Sequence, residues 1–114
     1  MKKDYNLYLR HMLESIELIE SYTENFSFHA FKKDRKTIDA VIRNLEIIGE
    51  ASSKIPPEFR NKHPEVPWRS LIGLRNILIH DYMGVDVNAV WENIRKELSP
   101  LKEQIKAVIE TEAK

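Results

Sequence analysis

The sequence predicts an all-α protein, an antiparallel bundle of four main helices with a further helical segment at the C-terminal end. Three observations carry that expectation. Only three glycines and five prolines occur in 114 residues, so the punctuation that strands and hairpins need is scarce. Apolar residues recur at three- and four-residue spacing through most of the chain. Four of the five prolines crowd into residues 56–67 and divide the helical pattern in two. The length suits one domain.

The first helix is expected from Asp4, as N-cap, to about Glu24. Tyr5, Tyr8, Leu9, Met12, Ile16, Ile19 and Thr23 form its inward stripe, and Glu14, Glu17, Glu20 and Glu24 turn outward. Residues 25–35, with Phe26, Phe28 and Phe31, read as a bend or an early start to the next helix. A second helix is expected from near Asp34 to Lys54, with Ile38, Val41, Ile42, Leu45, Ile48 and Ser52 inward. Gly49 interrupts this pattern at a cost of up to about 1 kcal/mol, which close packing against a neighbouring helix would explain. Pro56 and Pro57 stop the helix. PPEFRNKHPEVP reads as a rigid connection with room for one short helical turn. Pro67 suits the first position of a third helix carrying Trp68, Leu71, Leu74, Ile77 and Leu78 to about His80 or Asp81, with Gly84 as a left-handed stop. Asp86 caps a fourth helix with Val90, Ile94 and Leu98 inward. After Pro100, the segment with Leu101, Ile105, Val108 and Ile109 continues it or kinks away.

Composition excludes several classes of function. Lys+Arg and Asp+Glu are 18 each, so a globally basic nucleic-acid binder is excluded, although a local basic patch is not. The basic excess falls in residues 25–62, through the second helix and through Lys54, Arg60 and Lys62 of the connection. Cysteine is absent, which removes disulfides, thiol catalysis and Cys-ligated zinc and fits a reducing compartment. MKKDYNLYLR meets charge too soon for a signal peptide. No apolar run approaches the roughly 20 residues of a membrane span. The expected location is the cytoplasm, without membrane contact.

The informative segment is LIGLRNILIHDYMGVD, residues 71–86. Arg75, Asn76, His80 and Tyr82 are polar groups set in an apolar helix, where unpaired burial would cost a few kcal/mol each. They must reach solvent, partner groups or a second chain. Asn76 and His80 are four apart and share a face. Arg75 and His80 are five apart, about 140° around the helix, so one chain does not aim both at one point. A second copy packed across a two-fold axis would gather two Arg and two His into one cleft, which predicts a homodimer with a composite site. These residue types suit metal-independent RNA cleavage. His80 can act as base or acid near neutral pH. Arg75 matches phosphate through its planar fork of donors. Asn76 can orient the imidazole or bind a phosphate oxygen, and Tyr82 can donate to phosphate or stack on a base. A plainer account stands beside this one: a His near a helix C-terminus favours the helix dipole, and an Arg–Asn pair can brace two helices. A non-catalytic module that binds nucleotides or a partner protein fits the same residues. His11 lies on an ordinary amphipathic helix, and His29 and His63 sit in connections. None has metal-binding spacing, so neither a metal nor another cofactor is expected. Gly-rich phosphate loops and Ser-centred elbows are absent.

RNILIHDY, residues 75–82, resembles the R-x4-H-x-Y motif of HEPN-domain proteins in the HepT-like branch. NLEIIGEA at residues 44–51 resembles that family's helix ending in Gly-Glu-Ala, VPWRSLIGLRN its Pro-Trp approach to the motif helix, and YMGVD followed by Val90-Trp91 its exit. These blocks span roughly residues 5–110 in the family's order, without a departure at the motif positions. The resemblance implies a four-to-five-helix bundle dimerising through the motif helices, and a metal-independent ribonuclease toxin of a type VII toxin–antitoxin pair acting on tRNA or mRNA. It makes Arg75 and His80 the catalytic pair, with Asn76 supporting. It makes Tyr82 the residue to which the cognate antitoxin, a minimal nucleotidyltransferase called MntA, transfers AMP from ATP. Gly49 and Glu50 belong to the family pattern, where packing or interface bracing suits them better than catalysis.

Overall fold

The structure, a computed structural model, describes residues 5–80 and 86–113, and of residues 75–80 only the helical course. Six helices follow one another: α1 (Asn6–Thr23), α2 (Phe28–Lys33), α3 (Arg35–Ser53), α4 (Pro57–Lys62), α5 (Trp68–His80) and α6 (Val87–Glu112). No strand occurs among the described residues. The four long helices are the expected ones, and the expected all-α bundle is the fold.

Each boundary has a local cause. Asp34 caps α3, its carboxylate accepting from Thr37 N at 3.0 Å, which satisfies one of the orphan N–H groups of the first turn. Ser27 does the same for α2 through Ala30 N at 3.1 Å, so the ambiguous segment after α1 is a separate short helix. Asp86 caps α6 through Asn88 N and Ala89 N. Pro67 lies just outside α5 rather than at its first position, and its carbonyl accepts from Leu71 N at 3.1 Å. Helix α1 starts at Asn6 after Tyr5, which makes no side-chain cap, and the expected cap Asp4 lies outside the described residues. So do Asp81, Tyr82 and the expected stop Gly84.

The fourth helix and the last segment are one 26-residue helix with Pro100 inside it. Proline removes the hydrogen bond to the carbonyl of Lys96, but Pro100 and Lys96 both lie on the exposed face. Water can serve that carbonyl, while Leu98 and Leu101 on the inner face stay buried.

Side-chain contacts fix the directions of the helices. At one end, here the lower, Phe59 of α4 meets Tyr5 edge-on at 5.4 Å, and His63 Nε2 lies 2.7 Å from Glu112 Oε2. Near the same end Ser52, late in α3, lies 3.7 Å from Met12 Sδ, early in α1. At the upper end Phe28 and Phe31 of α2 pack on Trp91 in the second turn of α6, at 6.2 and 4.9 Å. The long helices therefore run up, down, up, down. Helix α1 packs on α3 and α6, and α5 lies along α3. The core holds the predicted stripes, with Leu9, Met12, Ile16 and Ile19 of α1 against Val41, Ile48, Ile105 and Val108, all at most 1% exposed. Each such side chain contributes about 1.5–3 kcal/mol by leaving water. Gly49 is buried within α3. The molecule measures 48 × 28 × 19 Å, so it is a slab about two helices thick.

Candidate active site

Helix α5 carries Arg75, Asn76 and His80, and its start is anchored firmly. Trp68 is 6% exposed. Its Nε1 donates to the His63 carbonyl at 2.9 Å, and its backbone N–H donates to Val66 O at 2.9 Å. Leu71 is buried and Leu74 packs against the core. His63 is itself held. Its Nε2–H donates to the Glu112 carboxylate, which can only accept, and its ring packs on Phe59 at 5.0 Å. That bond, with Lys62 3.4 Å away, holds the Glu112 carboxyl below its ordinary pKa against the opposing effect of burial. His63 lies in the connection between α4 and α5, as expected, at the C-cap of α4, and is locked to the end of α6. Sequence offers no signal for a pair 49 residues apart. His29, by contrast, lies in a helix, α2, and not in a connection.

The helical course of α5 includes Arg75, Asn76 and His80. Asn76 and His80 therefore sit one turn apart on one face. Arg75 and His80 are separated by about 140° and about 7.5 Å of rise. Their side chains, those of Ile77 and Leu78, and the whole of Tyr82 lie outside the described residues. Near the start of the motif helix, a methyl group added at Gly73 would meet nothing within 4 Å, so α5 is open there within one chain.

Two hollows lie among the described residues. One, about 320 Å³, lies between α1 and α3 and is lined by Tyr8, His11, Arg43, Glu46, Ile47 and Glu50, among others. Lys54 borders it with its ammonium 3.6 Å from Glu50, and the hollow holds cations and carboxylates in equal measure. The other, about 430 Å³, opens where α5 and α6 diverge over Leu45, Ile48, Leu71, Leu74 and Leu98. Among the described residues no three His, Asp or Glu side chains gather as a metal site, and no helix is long and apolar enough to cross a membrane.

The sequence pattern of the family described as "Ribonuclease HepT-like" matches residues 12–108, which include α5 and the motif. A protein of Thermococcus cleftensis named Probable ribonuclease HepT is 48% identical over 102 residues, 90% of this chain and 93% of that protein. A protein of Caldanaerobacter subterraneus subsp. tengcongensis named as an RNase is 43% identical over 105 residues, 92% of this chain and 94% of its own. A Methanocaldococcus jannaschii protein named as a gamma-glutamylcyclotransferase and RNase is 46% identical over 110 residues. There the match takes 96% of this chain and 50% of the relative, so this chain spans half of that protein's length. No solved structure matches the chain.

Proposed function

The chain belongs to the HepT-like ribonuclease family, and from that premise we propose that it is a metal-independent RNA endonuclease whose active site forms between two copies of α5. The observation that carries this reading is the set Arg75, Asn76 and His80 on one anchored helix inside the matched region. Alone, α5 separates Arg75 from His80 by about 140°, which a two-fold partner would overcome. In the proposed reaction one His80 imidazole takes the proton of a ribose 2′-OH. The 2′-oxygen attacks the adjacent phosphorus and the bond from phosphorus to the 5′-oxygen breaks. The second His80, protonated, donates to that 5′-oxygen, leaving a 2′,3′-cyclic phosphate and a 5′-hydroxyl. Arg75 faces the charge that grows on the equatorial oxygens, and Asn76 orients the imidazole. No step needs a metal or another cofactor. The chain acts as a toxin on tRNA or mRNA, and an MntA-like antitoxin silences it by transferring AMP to Tyr82. That places an anionic phosphate two residues from His80, where the RNA phosphate would bind.

The test is cleavage of RNA in EDTA. The wild-type chain should yield cyclic-phosphate ends, and His80→Ala and Arg75→Ala should each lose at least about 100-fold in rate with melting temperature retained. Undiminished cleavage by His80→Ala would overturn the assignment. RNA binding without cleavage by the wild type would make the chain a non-catalytic binding module. Incubation with the antitoxin and ATP should add about 329 Da per AMP, and the gain should vanish in Tyr82→Phe.

A further inference from the structure

We propose that the upper corner of the bundle, formed by α2 and the first turn of α3, is the surface along which the RNA phosphate backbone reaches the active site. The proposal rests on the reading of the chain as an RNA endonuclease. The sequence places its basic excess in residues 25–62 without saying which cations are available, and the structure separates them. At the lower end Lys54 lies 3.6 Å from Glu50 and Lys62 lies 3.4 Å from Glu112, while Arg60 buries its Nε. At the upper end His29, Lys32, Lys33, Arg35 and Lys36 are all exposed within eight consecutive residues. The two carboxylates beside them are engaged, Asp34 as the cap of α3 and Asp39 with Arg35 at 3.0 Å. Lys33 and Lys36 have no carboxylate partner among the described residues, and Lys32 lies 5.6 Å above the Phe28 ring. Phe28 rests on Trp91, so α2 is held against the start of α6 and the corner is a firm platform rather than a loose arm.

Topology brings this corner to the motif. Helix α5 starts at the lower end and climbs along α3, so His80 at its tip lies toward the upper end. Leu71 and Leu74 share one hollow with Ile48 and Leu45, so the first half of α5 faces the second half of α3. From Leu74 the helix rises about 9 Å further to His80, toward the first half of α3 and the end that bears Lys36. Lys32, Lys33 and Lys36 lie within five residues at this corner, so a strand leaving the cleavage point would pass several cations together. A few local cations supply enough attraction for a small single-stranded substrate while net charge stays at zero.

The experiment compares two triple variants of equal charge. One is Lys32→Glu, Lys33→Glu, Lys36→Glu at the corner. The other is Lys54→Glu, Lys62→Glu, Lys106→Glu at the lower end. The probe is a fluorescein-labelled 2′-O-methyl RNA, which binds but cannot be cleaved, titrated at several salt concentrations, with cleavage of unmodified RNA followed in parallel. The corner variant should bind at least about tenfold more weakly than wild type, and its log–log salt slope should fall in magnitude by about 2, three contacts at roughly 0.7 each. The lower-end variant should keep the wild-type slope. A neutral triple, Lys32→Gln, Lys33→Gln, Lys36→Gln, should move affinity in the same direction with an unchanged circular dichroism spectrum, which separates lost contacts from lost fold. Equal loss in both Glu triples, or none at the corner, overturns the corner while wild-type cleavage leaves the ribonuclease reading intact. A wild-type chain that neither binds nor cleaves RNA overturns both.

Discussion

At the scale of single residues, His63 and Glu112 decide how α5 begins. The Glu112 carboxylate is stabilised by the His63 N–H and by Lys62, which lowers its pKa below the ordinary 4.5. A carboxyl whose folded pKa is depressed binds protons less readily folded than unfolded. Its contribution to stability is therefore present above the unfolded value and lost as pH falls through the folded one. Glu112→Gln should lower stability at pH 7 by about 1 kcal/mol, a few degrees in Tm, and the difference from wild type should shrink as pH drops below 4.5. Thermal melts of both proteins across that range check it. Gly73 predicts the opposite sign. A methyl group there meets nothing within 4 Å, so Gly73→Ala should raise chain stability in urea titrations by up to about 1 kcal/mol. A loss instead would show that a second chain approaches that α-carbon.

At the scale of elements, caps matter most where a helix must start on register. Asp34 closes both α2 and α3, its backbone N–H donating to Phe31 O and its carboxylate accepting from Thr37 N. Asp34→Ala should cost about 1 kcal/mol by urea denaturation and disturb the α2–α3 corner before the rest of the bundle. The long helices were legible because an amphipathic stripe of four or more turns repeats its signal, as Ile38 to Ser52 does. The bounds of the short helices α2 and α4 were not, although the connection after Pro56 had room for a helical turn, since six residues hold fewer than two turns and Phe31 and Phe59 alone carry their burial. Pro100 left two outcomes open because only exposure decides whether water can take over its lost bond. The candidate site was legible as positions on one helix. Its assembly was not, because Arg75 and His80 diverge by about 140° and the group that would bring them together lies outside one chain's sequence order.

At the scale of the whole molecule, the separation of charge matters more than its sum. Lysines pair with carboxylates at the lower end, Lys54 with Glu50 and Lys62 with Glu112. At the upper end Lys33 and Lys36 have no carboxylate partner among the described residues, so a chain of zero net charge still offers local cations there. Sedimentation should show a dimer at assay concentrations, and a monomer at the highest soluble concentration would remove the composite cleft.

The slab shape has its own consequence in area. A monomer of 13.5 kDa ordinarily exposes about 6,500 Å². This chain exposes 7300 Å², an excess of about 800 Å². An elongated slab exposes more surface for its mass than a sphere does, and that surface is open to a partner. Among the described residues α5 packs chiefly on α3, and a second copy could cover its other side.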